Sequence, residues 1–344
     1  MVTPNPADAG SGAVVAMPFP EPPIVPLSPW GSTKPRLEDR IFRWLSGGSG
    51  VLIVVLIVAI GAFLLVRSIP ALARNRENFL TYAGAWVTTD TSAMHFGILN
   101  LLQVTVLVSL FALVLAMPVA LGVAIFLTQY ARRRVAGVLA YVVDLLAAVP
   151  SIIYGVWGLH VLAPQLNPIA TWLNHTLGWC FLFATGNASV PGGTIFTGGI
   201  VLAVMILPII AAVTREVFIQ TPHDQTEAAL ALGATRWEVV KTVVLPFGRS
   251  GYVSGAMLGL GRALGETVAL LIVLRGAQDA FGWSLFDAGS TFATKIAGAT
   301  WEFTDQFKAG AFIAAGLVLY LLTFVVNALA RAAVVGAGIA RREQ

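Results

Sequence analysis

The chain has 344 residues, 57% of them hydrophobic and only 11% charged, against about 45–50% apolar and about 25% charged in soluble domains. So little charge excludes a soluble globular fold. The net charge of +4 is better read as a bias between loops than as a nucleic-acid footprint, because no basic patch interleaved with aromatics accompanies it. The single cysteine, Cys180, excludes an intrachain disulfide and leaves neither a CxxC nor a Cys/His cluster for a metal, so no cofactor is expected.

Residues 1–35 hold nine of the eighteen prolines and no long apolar run. Such a segment buries too little surface to fold, and residues 1–45 are expected to be a disordered leader with no cleavable signal peptide. About 20 apolar residues cross a bilayer as a helix. Six segments meet that length, near 50–69, 98–128, 136–162, 194–217, 251–274 and 309–333. The expected fold is an all-α membrane protein with six transmembrane helices. Its first helix and outer loop occupy 46–95, its core 96–335 and a cytoplasmic tail 336–344.

Orientation follows from lysine and arginine. With the amino terminus inside, Lys34, Arg36, Arg40, Arg43, Arg132, Arg133, Arg134, Arg215, Arg236, Lys241, Arg249, Arg331, Arg341 and Arg342 fall on inner segments. Only Arg67, Arg74, Arg76, Arg275, Lys295 and Lys308 fall on outer ones. Both termini are therefore expected in the cytoplasm.

In the third span, Pro150 breaks the hydrogen-bond ladder. A broken helix at membrane depth either is an ordinary kink or borders a substrate path, where Ser151 and Tyr154 would donate hydrogen bonds to an anion. Asp144 is read as a structural hydrogen bond or ion pair. The outer loop, 163–193, has no lysine or arginine but carries Trp172, Trp179 and Phe181, aromatics that suit a membrane interface.

The longest inner loop, residues 218–250, is punctuated for two short helices. Thr221-Pro222 suits a helix start, Gly233 a left-handed end, Thr235 and Glu238 a capping box, and Pro246 a stop. Glu227, Ala228 and Ala229 would then lie on a small-residue surface facing the cytoplasm.

In the fifth span, taken as one helix, Gly251, Gly255, Gly259, Arg262 and Glu266 share a face at about 100° per residue. A central arginine costs roughly 2.5–3.5 kcal/mol on insertion scales, so it should avoid lipid and project into a tight glycine-lined seam. A buried interhelix salt bridge would explain the pair structurally. Charge-assisted bonds from Arg262 to a permeating oxyanion, with Glu266 holding or balancing the arginine, would explain it functionally.

The stretch "EAALALGATRWEVVKTVVLP" is similar to the EAA loop of ABC importer permeases. Glu227, Ala228, Ala229, Gly233, Val243, Leu245 and Pro246 fit its pattern, with valine where isoleucine is commoner. The resemblance implies a six-helix type I permease bundle whose cytoplasmic coupling helix docks on an ATP-binding subunit. No GxxxxGK[ST] phosphate loop is present in the chain, so it is not expected to be an enzyme itself and the ATPase would be a separate polypeptide.

The segments "VPSIIYGVWGL" and "GLGRALGETVALLIV" further resemble the phosphate-specific importer permeases of the PstC type, over roughly residues 95–335. Gly261 before Arg262 and Val268-Ala-Leu after Thr267 favour that type over the PstA type, which more often has an alanine-proline pair there. The resemblance implies a bacterial plasma (inner) membrane importer of inorganic phosphate. Its implied partners are a PstA-type second permease, two ATP-binding cassette subunits and an external phosphate-binding protein, with Arg262 and Glu266 as the phosphate-related charges. A permease for sulfate or molybdate is the alternative, since an arginine alone does not separate tetrahedral anions. A proton-coupled carrier using Asp144 and Glu266 leaves the EAA loop unexplained, and an intramembrane enzyme lacks a nucleophile with a base or metal.

Overall fold

The computed structural model describes residues 37–88, 93–186, 192–274, 281–303 and 305–339. The leader up to residue 36 and the tail from residue 340 lie outside the described residues. Among those described there is no named strand, only two isolated bridges, Asn75 with Met94 and Val87 with His95, which tie the loop after the first helix.

Helix α1 runs from Leu37 to Leu72. Residues 37–45, assigned to the leader from sequence, are thus helical. Side chains from Ile41 to Ile60 are all exposed, an apolar surface on every side of the kind that lipid covers. Near the carboxyl end of α1 Ala71 is fully buried, and a Cβ placed on Gly310 would lie 2.9 Å from its methyl.

Helix α2, Leu99–Ile125, continues as a π turn over Phe126–Tyr130. Val104, Val108, Ala112, Ala116, Ala120 and Ala124 recur every four residues and are buried, so one narrow face enters the core. The third span is interrupted. Helix α3 (Arg133–Ala147) meets helix α4 (Ser151–Trp157) at a bend of 89°. Helix α4 runs through a π turn at Gly158–Leu162 into α5 (Ala163–Leu177). Residues 163–177, expected in the outer loop, are therefore helix. Trp172 and Trp179, within and just after α5, are 62% and 84% exposed.

Helix α6, Ile195–Ile219, is the centre of the bundle and is apolar and buried on most sides. Its first amides are satisfied from outside the helix: Ile195 N–H donates to the Asp287 carbonyl at 3.0 Å and Phe196 N–H to the Leu285 carbonyl at 2.7 Å. Then follow α7 (His223–Ala231), α8 (Arg236–Val239), a π turn at Val240–Val244, α9 (Leu245–Leu264), α10 (Val268–Val273), α11 (Phe292–Gly298) and α12 (Gln306–Ile339).

Pro246 does not stop a helix as its sequence position suggests. The Leu245 amide donates to the Val240 carbonyl across the π turn, and Pro246 occupies the first turn of α9, where no amide hydrogen is needed. The glycines of α9 do form a groove, but it closes on α6 of the same chain. Gly251 accommodates Val217, Gly255 lies under Val213, and a Cβ at Gly259 would sit 2.9 Å from Ile210.

Four described helical stretches are long and apolar enough to span a membrane: Ile41–Leu72, Leu99–Tyr130, Ile195–Ile219 and Gln306–Leu329. The bent pair α3 and α4–α5 adds a fifth. The expected span at 251–274 is not one helix, because α9 ends at Leu264 and α10 begins at Val268.

Candidate substrate path and coupling surface

Two helix breaks lie side by side. At the first, Pro150 has no amide hydrogen, so in a continuous helix the carbonyl four residues back, that of Leu146, would lose its partner. The Tyr154 hydroxyl donates to that carbonyl at 2.8 Å. At the second, the Ala269 amide would in a continuous helix reach Gly265, but donates instead to Glu266 Oε1 at 3.1 Å, while Thr267 Oγ1 donates to the Gly265 carbonyl at 3.2 Å. Side chains thus take over the interrupted ladder at both places. The breaks meet because α4 packs on α10, where a Cβ on Gly155 would come within 2.9 Å of the Ala269 Cα.

The break changes how Arg262 and Glu266 relate. They do not share one helical face, and among the described residues no ion pair joins them. Arg262 lies in the last turn of α9 and Glu266 precedes the first turn of α10. A cation at a helix carboxyl end and a carboxylate at an amino end each complement the local dipole, so each charge serves its own half-helix. Glu266 is buried at 8% exposure, held on the α10 amide. Arg262 is exposed rather than seated in the glycine seam.

Of the other residues singled out from sequence, Ser151 is half-buried at the start of α4, and its hydroxyl makes no hydrogen bond among the described residues. Tyr154 is buried with its proton committed to Leu146. Asp144 pairs with Arg215 of α6 at 3.5 Å, which is the ion pair expected of it. Nothing in the sequence marked Thr267 as part of the break; a hydroxyl two residues after a glycine in an apolar run was the available signal.

The loop at 218–250 follows its punctuation at Gly233 and at Thr235 with Glu238, but not at its start, where Pro222 rather than Thr221 is the N-cap and the Thr221 hydroxyl caps nothing among the described residues. Helix α7 ends in a Schellman motif, with Gly233 at φ +86°, its amide donating to Leu230 at 2.9 Å and the Ala234 amide to Ala229 at 3.1 Å. Thr235 and Glu238 form both halves of a capping box: Glu238 N–H donates to Thr235 Oγ1 at 3.3 Å, and Thr235 N–H to Glu238 Oε2 at 2.7 Å. The Thr235 amide, and then its hydroxyl, hold the Glu238 carboxyl below its ordinary value.

No residue of α7 is buried. Glu227 and Ala228 are exposed and Ala229 is half-buried; Glu227 lies 3.3 Å from His223. Leu232 is 89% exposed next to Gly233. Leu245 and Pro246 are half-buried where α9 begins, away from this exposed surface. Helix α7 and its end thus leave Asp224, Glu227, Leu230 and Leu232 uncovered.

The family model described as "Binding-protein-dependent transport system inner membrane component" matches residues 116–334. The chain is 57% identical over 298 residues to "Phosphate transport system permease protein PstC 2" of Mycobacterium tuberculosis, covering 86% of this chain and 92% of that protein. It is 58% identical over 303 residues to "Phosphate transport system permease protein PstC" of Mycobacterium leprae, covering 88% and 95%. A solved structure of the MetNI methionine ABC transporter, inward facing, aligns with a TM-score of 0.46 at 17% identity, covering 70% of this chain and 94% of that one. The chain belongs to the inner-membrane components of binding-protein-dependent transport systems, and within them to the PstC permeases.

Proposed function

We propose that this chain forms half of the transmembrane path of an ATP-driven importer of inorganic phosphate, paired with a PstA-type permease. Two ATP-binding subunits would hydrolyse ATP, and an external phosphate-binding protein would deliver the anion. The observation that carries this reading is the 57–58% identity to mycobacterial PstC permeases over most of the chain. Both termini face the cytoplasm in this reading, which puts α7 and α8 on the side where ATP is available.

The geometry supports a path beside the paired breaks. An exposed arginine at membrane depth costs about 2.5–3.5 kcal/mol against lipid, so the surface around Arg262 faces water or another subunit. A guanidinium there offers charge-assisted, fork-shaped donors to a phosphate leaving water. Ser151 adds a hydroxyl on the neighbouring half-helix, whereas Tyr154 and Glu266 hold the breaks in shape. In the cycle, ATP binding closes the ATPase pair, the surface from Glu227 to Leu232 carries that motion inward, and the path alternates between outer and inner access.

The test is labelled phosphate uptake in cells expressing all subunits, with excess sulfate and with Arg262→Gln and Glu227→Lys beside wild type. Uptake that resists sulfate but is lost in both variants, with the Arg262→Gln complex assembled, supports a phosphate path with separate substrate and coupling sites. Inhibition of uptake by sulfate would transfer the assignment to a broader oxyanion permease. Full uptake by Arg262→Gln would make the arginine structural.

A further inference from the structure

We infer that Phe218, seated on Gly248, is the joint through which the cytoplasmic loop drives the membrane helices. This rests on the importer reading above.

The loop from Gln220 to Val239 is joined along the chain to the membrane helices at its two ends. One is the end of α6 at Ile219 and the other is the π turn starting at Val240. Phe218 is 1% exposed and bridges the two. It shares one buried cluster with Val240 and Val244 of the π turn and with Ala124 and Ile125 at the carboxyl end of α2, with Leu121 and Leu245 packed against that cluster. These residues form a small core of their own, separate from the main one.

The socket floor is Gly248, where a Cβ would run into Cδ1 and Cε1 of the Phe218 ring. Only a residue without a side chain lets α9 approach the ring this closely. A close-packed interior transmits displacement rather than absorbing it. With the ring in place, the two tethers of the loop cannot move independently, and a push on α7 shifts the inner ends of α2, α6 and α9 as one body. Without it, the loop could be displaced while the helices stay where they are.

A purely structural role predicts loss of assembled complex but an unchanged yield of transport per ATP. A joint predicts a change in that yield. The experiment therefore measures phosphate imported per ATP hydrolysed by the complete complex in proteoliposomes, normalised to assembled complex. It compares wild type, Phe218→Ala, Gly248→Ala, and the double variant Phe218→Leu with Gly248→Ala.

Both single substitutions should lower the yield by about tenfold while hydrolysis continues, within the 5–150-fold range of typical intersite coupling. The double variant, whose smaller side chain makes room for the added methyl, should recover most of it. Wild-type yield in an assembled Phe218→Ala complex overturns the joint, as does failure of the double variant to exceed Phe218→Ala. If Gly248→Ala does not assemble, those two comparisons still decide. A wild-type complex with no ATP-dependent phosphate uptake overturns the importer reading and the joint with it.

Discussion

Tyr154 donates its hydroxyl proton to the Leu146 carbonyl, the acceptor that Pro150 leaves open, at 2.8 Å. The tyrosine therefore splints its own helix break. Removing the hydroxyl in Tyr154→Phe leaves the Leu146 carbonyl with only the longer bond from the Val149 amide, at 3.3 Å, and the loss of one such hydrogen bond costs about 0.5–1.5 kcal/mol. The purified protein should lose thermal stability by that amount, whereas Ser151→Ala should leave it nearly unchanged. Equal melting temperatures for Tyr154→Phe and wild type would show that the Val149 amide satisfies Leu146 without the tyrosine.

Glu266 supplies both an acceptor for the Ala269 amide, at 3.1 Å, and a negative charge. Two substitutions separate these. Glu266→Gln keeps an acceptor oxygen and removes the charge; Glu266→Ala removes both. Loss of a cap costs roughly 0.5–2 kcal/mol, so Glu266→Ala should be less stable than Glu266→Gln by an amount in that range. If the two are equally stable, the cap contributes nothing and the carboxylate acts through its charge alone. Phosphate uptake measured in parallel tells whether the charge matters to transport.

The turn between α7 and α8 was legible because its signals are local: Gly233, Thr235 and Glu238 each act on backbone groups within a few residues. The break at 265–267 was hidden by the same kind of residue. A lone glycine in an apolar run is compatible with a continuous helix, and only the capture of the Ala269 amide by Glu266 decides against it. The face shared by Arg262 and Glu266 was calculated for a helix that stops between them. Which helix fills the glycine groove of α9 is a tertiary fact, supplied by Ile206, Ile210, Val213 and Val217 of α6. Asp144 called for a partner, but nothing near it in sequence pointed to Arg215.

Gly233 stands at φ +86° with no atom within 4 Å of where a Cβ would be. Any cost of substitution is therefore conformational rather than steric, about 1–2 kcal/mol for an ordinary L residue. Gly233→Ala should weaken docking of the ATP-binding subunit by roughly tenfold if the Schellman turn must persist in the complex. Gly233→Asn should weaken it less, since asparagine tolerates the left-handed region. Pull-down of the ATP-binding subunit by each variant measures this, and equal retention by all three would mean that the loop refolds on docking.

Glu238 gives the same loop a dependence on pH with a definite sign. Its carboxyl is held below the ordinary value of 4.5 by the Thr235 amide and hydroxyl, so the folded capping box binds its proton less readily than the open loop does. The box is accordingly at full strength at pH above 4.5 and is lost as pH falls through the lowered folded value. Hydrogen exchange at the Thr235 amide, corrected for intrinsic rates, should show constant protection at neutral and mildly acidic pH and a loss only at stronger acidity. In Glu238→Gln the amide oxygen can still accept from Thr235 but carries no titrating proton, so protection should be weaker and flat with pH. A wild-type profile as flat as that of Glu238→Gln would mean that the carboxylate charge adds nothing to the cap.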